Sequence, residues 1–332
     1  MLDFSGMQFN VDIASSAEVC LPPPVLEAGD FPVHERSSRA AWGVVLTEWD
    51  GLPPRLSSGP VDDDDRSNRS RRIPSDRTLL AQTRSRLASV VQDDRMLFVI
   101  AKSQEACFRE ELGGVHPSRL IVQPKNKGTG TAIAAAVLRI ASADPNAVIA
   151  FTPSSHFYRN ERCFHASLNA AISTAAEWQE SVVLLGAQAT HAAAGYDWIE
   201  PGAAASGDWT ASLHRVQRVW QKPAVEVAES LHARACLWNT FVMAGHTDAF
   251  LRLLEACVPG LLDALIAARY RGRPEDAWLD DSLQPVDFSS QVLVPSAGEL
   301  FVVGMPSSAG WSDLCAQERH ADALWEGVAA VA

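Results

Sequence analysis

The chain has 332 residues, of which 47% are hydrophobic and 20% charged, so it can bury a full core and is not a wholly disordered chain. Its formal net charge of −12 argues against a nucleic-acid binder with a basic face, although one nucleotide can still occupy a local positive site. Six scattered cysteines without a CxxC pair indicate reduced thiols and a cytoplasmic location. Because no apolar run is long enough to span a bilayer and the first residues are a poor signal peptide, we expect no membrane partner.

The first part of the chain is predicted to be an extension. Residues 1–39 lack sustained periodicity and contain three consecutive prolines, so they are expected to stay mobile or pack loosely. Residues 40–332 are predicted to form one domain. Within it, residues 51–76 carry a run of four aspartates at 62–65, followed by several arginines, without any periodicity, which is typical of either a solvated charged loop or a functional loop.

Predicted strands and helices alternate through the first half of this domain. Short apolar runs predict strands at 43–46, 96–101, 120–122, 147–151 and 181–186. Helical apolar spacing predicts helices at 78–91, 103–112, 131–143 and 162–176. This order indicates an α/β protein with a mostly parallel, twisted sheet flanked by helices on both faces.

The pattern becomes richer in strands after residue 195. Strands are predicted at 198–200, 213–220, 237–244 and 299–303, and helices at 247–257 and 261–270. The second half therefore adds a β-rich portion to the same sheet.

The clearest motif is the segment Gln123–Ile133, QPKNKGTGTAI, which leads from a predicted strand into a predicted helix. Glycine and threonine at a helix start offer backbone N–H groups to an anion or to the edge of a base. The segment resembles "QPxNRGT" of the sugar-phosphate nucleotidyltransferases, specifically the bacterial mannose-1-phosphate guanylyltransferases. In that family the glutamine reads the guanine, so the resemblance implies nucleotide-binding roles for Gln123, Gly128 and Thr129. Alone, the segment would equally suit an ordinary strand-to-helix turn.

Three later segments keep the order of the same family. Gly195–Gly202 (GYDWIEPG) is similar to "GYGYIExG", and Trp220–Pro223 (WQKP) is similar to "FxEKP", with Gln221 in place of the acid. Leu237–Phe241 (LWNTF) is similar to "WNTF". The resemblance implies that contacts to the sugar and its phosphate come from Gly195, Glu200, Lys222 and Asn239.

The resemblance runs from about Trp42 to Leu324 and implies a Rossmann-like nucleotidyltransferase fold with a β-rich sugar-side portion. The implied reaction joins GTP to mannose 1-phosphate, forms GDP-mannose and releases pyrophosphate, with Mg²⁺ as cofactor. Its implied partners are GTP or a GDP-sugar and mannose 1-phosphate, and a homo-oligomer is left open. Such a displacement depends on neutralising phosphate charge more than on acid–base catalysis.

The first charge-neutralising part of the family, the loop "LAGGxGTRL", is altered in this chain. The corresponding segment is Leu46–Leu56, in which Glu48 and Trp49 replace the paired glycines. Side chains at these positions prevent the backbone from cradling phosphates, and a carboxylate repels them. Gly51 stays a nucleotide-binding candidate, and Arg55 replaces the catalytic arginine only with a shift of two residues.

The second and third parts are altered as well. The lysine of "DDRPKQF" aligns with Asn68, and the metal-binding aspartate of "PSDH" aligns with Ser155 in the segment Pro153–His156. A neutral hydroxyl is a weak ligand for a hard dication. The second metal aspartate is retained as Asp313, which therefore remains both a catalytic and a metal-binding candidate.

Three functions are consistent with this pattern. The first is a divergent guanylyltransferase with weak activity, and the second is a degenerate paralogue that binds a sugar nucleotide or regulates a partner enzyme. The third is a relic of the fold that binds nothing. The replaced charge-neutralising residues favour the second mechanistically, whereas the resemblance itself favours the first. Asp287 is expected either to cap a turn or to approach the sugar.

Overall fold

The computed structural model describes residues 41–47, 78–205, 213–271 and 283–314, and all structural statements below concern these residues. The predicted N-terminal extension and most of the altered phosphate loop lie outside them, as do the predictions made for Glu48, Trp49, Gly51, Arg55 and Asn68.

The described residues form strands and helices in alternation over the first half of the domain. The strands are β1 Trp42–Leu46, β2 Met96–Ala101, β3 Leu120–Gln123, β4 Val148–Pro153, β5 His156–Phe157, β6 Val182–Gln188, β7 Trp198–Ala204, β8 Leu213–Trp220, β9 Leu237–His246, β10 Phe301–Met305 and β11 Ser312–Asp313. The helices are α1 Leu79–Leu87, α2 Arg109–Leu112, α3 Gly128–Ala141, α4 Glu161–Glu177, α5 Val225–Ala233, α6 Thr247–Cys257 and α7 Leu261–Tyr270.

Nine of these strands form one sheet in the order β3-β2-β1-β4-β9-β6-β10-β8-β7. Strands β1 to β4, β6, β7 and β10 run in one direction, whereas β8 and β9 run against them. Strand β9 also pairs with β7, so the sheet closes on itself through β9, β6, β10, β8 and β7. The α/β fold class is confirmed, and the closed part is the β-rich portion expected from the sequence.

Helices cover both faces of the sheet, as the alternation of side chains along the strands requires. In β1, Val44 points into the core cluster that holds α3, α6 and α7, and Val45 points into the cluster that holds α1 and α4. In β4, Phe151 joins the first cluster and packs edge-on against Phe250 of α6, with ring centroids 5.1 Å apart. No helix in the described ranges is long and apolar enough to cross a membrane.

Most predicted elements are observed within a few residues, and one is wrong. The segment 103–112 is not one helix, because a 3₁₀ turn at Lys102–Gln104 is followed only later by α2. The Gln104 amide oxygen accepts hydrogen bonds from the Ala101 N–H at 3.1 Å and the Thr47 hydroxyl at 2.6 Å, which fixes the turn at the end of β2. Helix α5 and a π-helical turn at Ser289–Leu293 were not predicted.

A buried arginine joins α1 to α4 beneath the end of β4. Arg86 is 3% exposed, pairs with Glu161 at 2.9 Å and lies over the ring of Tyr158, 4.8 Å from its centroid. One guanidinium nitrogen also donates to the His156 carbonyl at 3.4 Å. His165 in turn bonds the Arg86 carbonyl at 3.0 Å, and burial lowers the pKa of this histidine.

The lowered pKa of His165 predicts a stability that falls in acid. Below the ordinary histidine pKa the unfolded chain takes up a proton more readily than the folded one, so acid favours unfolding. His165→Gln keeps a donor for the Arg86 carbonyl and removes the titration. Urea unfolding between about pH 8 and about pH 5 should show a smaller loss of stability for the variant than for the parent. Equal losses would contradict the assignment.

Candidate functional site

Three of the described residues singled out by the sequence lie at one edge of the sheet. Parallel strands β1 to β4 all end there, and the antiparallel pairing of β9 with β4 brings the first residues of β9 to the same edge. Ligands of open α/β sheets bind outside this edge. Gln123 is the last residue of β3, Ser155 follows β4, and Asn239 is the third residue of β9.

The two metal positions predicted from the sequence are in direct contact. Strand β5 pairs antiparallel with β11, which places Asp313 opposite His156. The Ser155 hydroxyl donates to Asp313 Oδ1 at 3.1 Å, and the Leu314 N–H donates to the Ser155 carbonyl at 3.2 Å. Ser155 is 3% exposed. The structure thus places a carboxylate and a hydroxyl where the family has two carboxylates.

This donor set does not fit the magnesium site implied by the resemblance. Mg²⁺ takes oxygen ligands in octahedral geometry and favours carboxylates and phosphates. Asp313 supplies one carboxylate, and its oxygen already accepts the Ser155 hydroxyl. Nowhere in the described ranges do three or more histidine, cysteine, aspartate or glutamate side chains come together as metal ligands.

The loop at the start of α3 is held against a second segment, residues 283–289, which we call the strap. Gly128 has φ +82°, and a Cβ on it would lie 2.1 Å from the Val286 carbonyl oxygen. The Gly130 N–H donates to the same carbonyl at 2.8 Å, and the Gly128 N–H donates to the Asn126 side chain at 2.8 Å. The Gly128 N–H, predicted to be open to a ligand, and the neighbouring Gly130 N–H are therefore both bonded within the protein.

Other side chains of this loop also bind the strap. The Lys127 ammonium donates to the Leu283 carbonyl at 2.7 Å, and the Thr129 hydroxyl accepts the Phe288 N–H at 2.9 Å. Thr129, predicted to contact the nucleotide, is therefore also a structural anchor. Gln123 is buried just before this loop.

The three sugar-side segments meet at Asp197, a residue that the sequence analysis missed. Its carboxylate accepts the Lys222 N–H at 3.1 Å and also bonds Ser289, while its backbone carbonyl accepts the Asn239 N–H at 2.8 Å. Burial raises the pKa of Asp197. The sequence did contain one indication of this residue, because Asp197 replaces the second glycine of "GYGYIExG".

The backbone at the sugar-side segments is strained. Lys222 has φ +36° and Phe241 has φ +57°, a region that side chains other than glycine rarely adopt. The side-chain carbonyl oxygen of Asn239 accepts the Phe241 N–H at 3.0 Å and holds this conformation, and the β6–β9 register is irregular at the same level. Bulges of this kind re-aim side chains next to functional sites.

Glu200, predicted to accept sugar hydroxyls, already accepts hydrogen bonds from other side chains of the protein. Arg234 forms an ion pair with one carboxylate oxygen, and the Trp220 indole N–H donates to the other at 2.9 Å. Gly195 lies in the turn two residues before Asp197.

An aromatic cluster connects the sugar side to the Ser155–Asp313 pair. The ring of Tyr196 lies 5.1 Å from that of Trp238 and 5.3 Å from that of Trp311. The Trp311 ring lies 5.3 Å from His156, the neighbour of Ser155. The predicted metal and sugar residues therefore belong to one continuous site.

Asp287 caps a turn, which is one of the two roles that the sequence left open. Its carboxylate caps a turn by accepting the N–H and the hydroxyl of Ser290 at 2.7 Å. It also accepts the Gln221 amide at 3.3 Å, beside Lys222. The strap thus contacts both the loop at the start of α3 and the sugar-side segments.

A protein-family model described as "Nucleotidyl transferase" matches residues 72–318 of the chain. The chain belongs to the nucleotidyl transferase family. It is 28% identical over 210 residues to the xanthan biosynthesis protein XanB of Xanthomonas campestris, covering 60% of this chain and 42% of that protein. It is 24% identical over 266 residues to a mannose-1-phosphate guanylyltransferase of Escherichia coli, covering 77% of this chain and 54% of the relative. The chain thus spans about half the length of the curated relatives it matches.

Solved structures share the fold. A protein of Thermus thermophilus titled mannose-1-phosphate geranyltransferase superposes with a TM-score of 0.68 at 22% identity, over 83% of this chain and 76% of its own. A structure titled mannose-6-phosphate isomerase from Helicobacter pylori gives 0.63 at 18% identity, over 82% of this chain and 100% of its own. At these identities the likeness establishes the fold alone.

The contact between Gly128 and the strap predicts a large effect of one methyl group. Gly128→Ala should lower the free energy of unfolding by about 3 kcal/mol, since it combines a left-handed backbone with overlap on the Val286 carbonyl. Gly260→Ala is the matched control, because Gly260 has φ +83° but nothing within 4 Å of its Cβ position. We expect about 1–2 kcal/mol for that variant in urea titrations. Equal losses for the two variants would contradict a steric role of Val286.

Proposed function

We propose that this protein binds a guanosine sugar nucleotide, with GDP-mannose as the first candidate, and that it transfers guanylyl groups weakly or not at all. The base would meet Gln123 and the loop that begins α3. The sugar and its phosphate would meet the sugar-side segments around Asn239 and Lys222. The assembled sugar side, joined to the base side by the strap, supports binding. A cytoplasmic setting is part of the same proposal.

The contact that carries this proposal is the hydrogen bond from Ser155 to Asp313. Attack on a nucleoside triphosphate builds negative charge on the phosphates, and the rate depends on cations that neutralise it. A buried hydroxyl beside a single carboxylate holds a divalent cation weakly. Binding of a finished sugar nucleotide does not require that charge to develop, so binding can persist where transfer fails.

A second candidate function is an active mannose-1-phosphate guanylyltransferase. The retained carboxylate of Asp313 and the names of the relatives favour it. Pyrophosphate release from GTP and mannose 1-phosphate with Mg²⁺ decides between the two, with Asp313→Ala as the control for contaminating enzymes. Turnover above this control would establish the second candidate and overturn the first.

Binding is tested by calorimetric titration with GDP-mannose, GDP and UDP-glucose. We expect GDP-mannose to bind more tightly than the other two, because GDP lacks the sugar and UDP-glucose carries a different base and a different sugar. If GDP-mannose causes no heat and no thermal stabilisation in folded protein, the binding proposal fails.

Ser155→Asp should create a site that responds to magnesium. A carboxylate at this position lies against Asp313, so mutual repulsion should lower the melting temperature in a chelator. Added Mg²⁺ should restore it, because an ion that binds only the folded state stabilises that state. Ser155→Ala is the matched control and should show no magnesium response. A magnesium response in the Ala variant equal to that of the Asp variant would count against the role of this pair.

Restoring two lost charges at once should raise turnover. The double variant Ser155→Asp, Asn68→Lys should release pyrophosphate faster than the parent if loss at these positions limits the reaction. A stable double variant that binds ligand and shows no gain over an inactive parent would mean that these two losses do not explain the inactivity.

A further inference from the structure

We infer that Asp197, in place of Glu200, is the residue that accepts sugar hydroxyl groups in this protein, and that with Asn239 it selects ligands carrying neighbouring hydroxyls. This inference rests on the proposed binding of a sugar nucleotide and deepens it. It assigns a specificity-determining role to a residue that the sequence motifs do not single out.

Glu200 is poorly suited to the role that its motif implies. Each of its carboxylate oxygens already accepts a hydrogen bond, one from Arg234 and one from the Trp220 indole. The ion pair also offsets its charge. A sugar hydroxyl would compete with a guanidinium for the same oxygens, and charge-assisted pairs of this kind are the stronger hydrogen bonds.

Asp197 has the position that Glu200 lacks. It lies where the three sugar-side segments converge, in contact with the backbone of both Lys222 and Asn239. Burial raises the pKa of its carboxyl group, so this group is partly removed from water before any ligand arrives. A carboxylate can accept about four hydrogen bonds, which exceeds the contacts made by Lys222 and Ser289.

Asn239 supplies a donor on the residue whose backbone N–H bonds the Asp197 carbonyl. Its side-chain carbonyl oxygen is identified by the hydrogen bond that it accepts from the Phe241 N–H, which leaves Nδ2 as the donor group. Asn239 is 7% exposed, and its buried Nδ2 makes no hydrogen bond to any residue in the described ranges. A buried donor without a partner is costly, and a bound ligand is one group that would satisfy it.

The donor and the acceptor together match a vicinal diol. One hydroxyl of such a pair donates to the Asp197 carboxylate, and its neighbour accepts from Asn239 Nδ2. Because a hydroxyl both donates and accepts, two neighbouring hydroxyls can satisfy both protein groups at once. The ligand class is therefore a sugar nucleotide with an unmodified pair of ring hydroxyls, and a deoxy sugar at that pair is disfavoured.

Asp197→Asn tests the inference, because hydrogen bonding and electrostatics predict opposite results. The ligand is anionic, so removing a nearby negative charge should tighten binding if charge alone matters. The variant keeps an oxygen for the Lys222 N–H but loses an anionic acceptor. We expect GDP-mannose to bind the variant about tenfold or more weakly, while GDP binding is not weakened.

Two further variants sharpen the comparison. Asp287→Asn removes a second charge of the same site, and it should shift GDP and GDP-mannose binding together rather than the sugar nucleotide alone. Glu200→Gln should weaken GDP-mannose less than Asp197→Asn does. Thermal unfolding of each variant shows whether it is folded before its binding is compared.

A measurement on the parent protein avoids any folding defect. Mannose 1-phosphate is compared with its 2-deoxy and 3-deoxy analogues. The 3-deoxy analogue should bind about tenfold more weakly, because each vicinal pair of ring hydroxyls includes the 3-hydroxyl. In the Asp197→Asn variant, removal of the same sugar hydroxyl should weaken binding by a smaller factor, because the carboxylate that accepts from this hydroxyl is already lost.

The outcomes separate this inference from the proposed function. If the parent does not bind GDP-mannose, the proposed function fails first. If the parent binds but Asp197→Asn binds GDP-mannose as tightly or more tightly, Asp197 merely fills the space of the family glycine and the inference is overturned.

Discussion

The close approach of the Val286 carbonyl to Gly128 is the contact on which the site depends. Only a residue without a side chain allows it, because a Cβ would lie 2.1 Å from the carbonyl oxygen. The same carbonyl accepts the Gly130 N–H, so the start of α3 and the strap form one unit. The strap also bonds Gln221 and Asp197 through Asp287 and Ser289. This local packing constraint therefore fixes the start of α3 relative to the sugar-side segments.

The Ser155–Asp313 pair is held together by different elements. Ser155 and Asp313 are brought together by short strands β5 and β11, which are paired to each other and lie outside the nine-stranded sheet. Their contact is a hydrogen bond from a hydroxyl to a carboxylate, where the resemblance implies two carboxylates. Two carboxylates at this distance would repel each other without a cation between them. A hydroxyl at this position avoids that repulsion and leaves Asp313 as the one carboxylate of the pair.

Much of the fold could be predicted because the period of the apolar residues is strong. Strands β2 and β8 and helices α6 and α7 occur at the predicted residues, where periodicity and turn residues agree. The strap could not be predicted, because it is held by hydrogen bonds to backbone groups and its apolar residues do not recur at regular spacing. The segment 103–112 failed for a related reason, since the Gln104 side chain competes with helical hydrogen bonds.

The site was predictable only in part. The proximity of Ser155 and Asp313 follows from the order of the motifs, because both come after strands that end at one edge. The pairing of Glu200 with Arg234 does not, since the two lie on different elements and nothing local links them. Asp197 was overlooked because a resemblance directs attention to the positions that agree with a motif, whereas the informative position was one that differs.

The place of β9 in the sheet has a consequence for how such a protein can diverge. This strand lies between β4 and β6 and also pairs with β7, so the segment that carries Asn239 is part of the framework of the fold. Ser155, by contrast, belongs to a small peripheral pairing. Substitutions at the peripheral pairing can therefore change the chemistry without disturbing the framework, whereas the requirements of folding constrain the segment that carries Asn239 whether or not a ligand binds there.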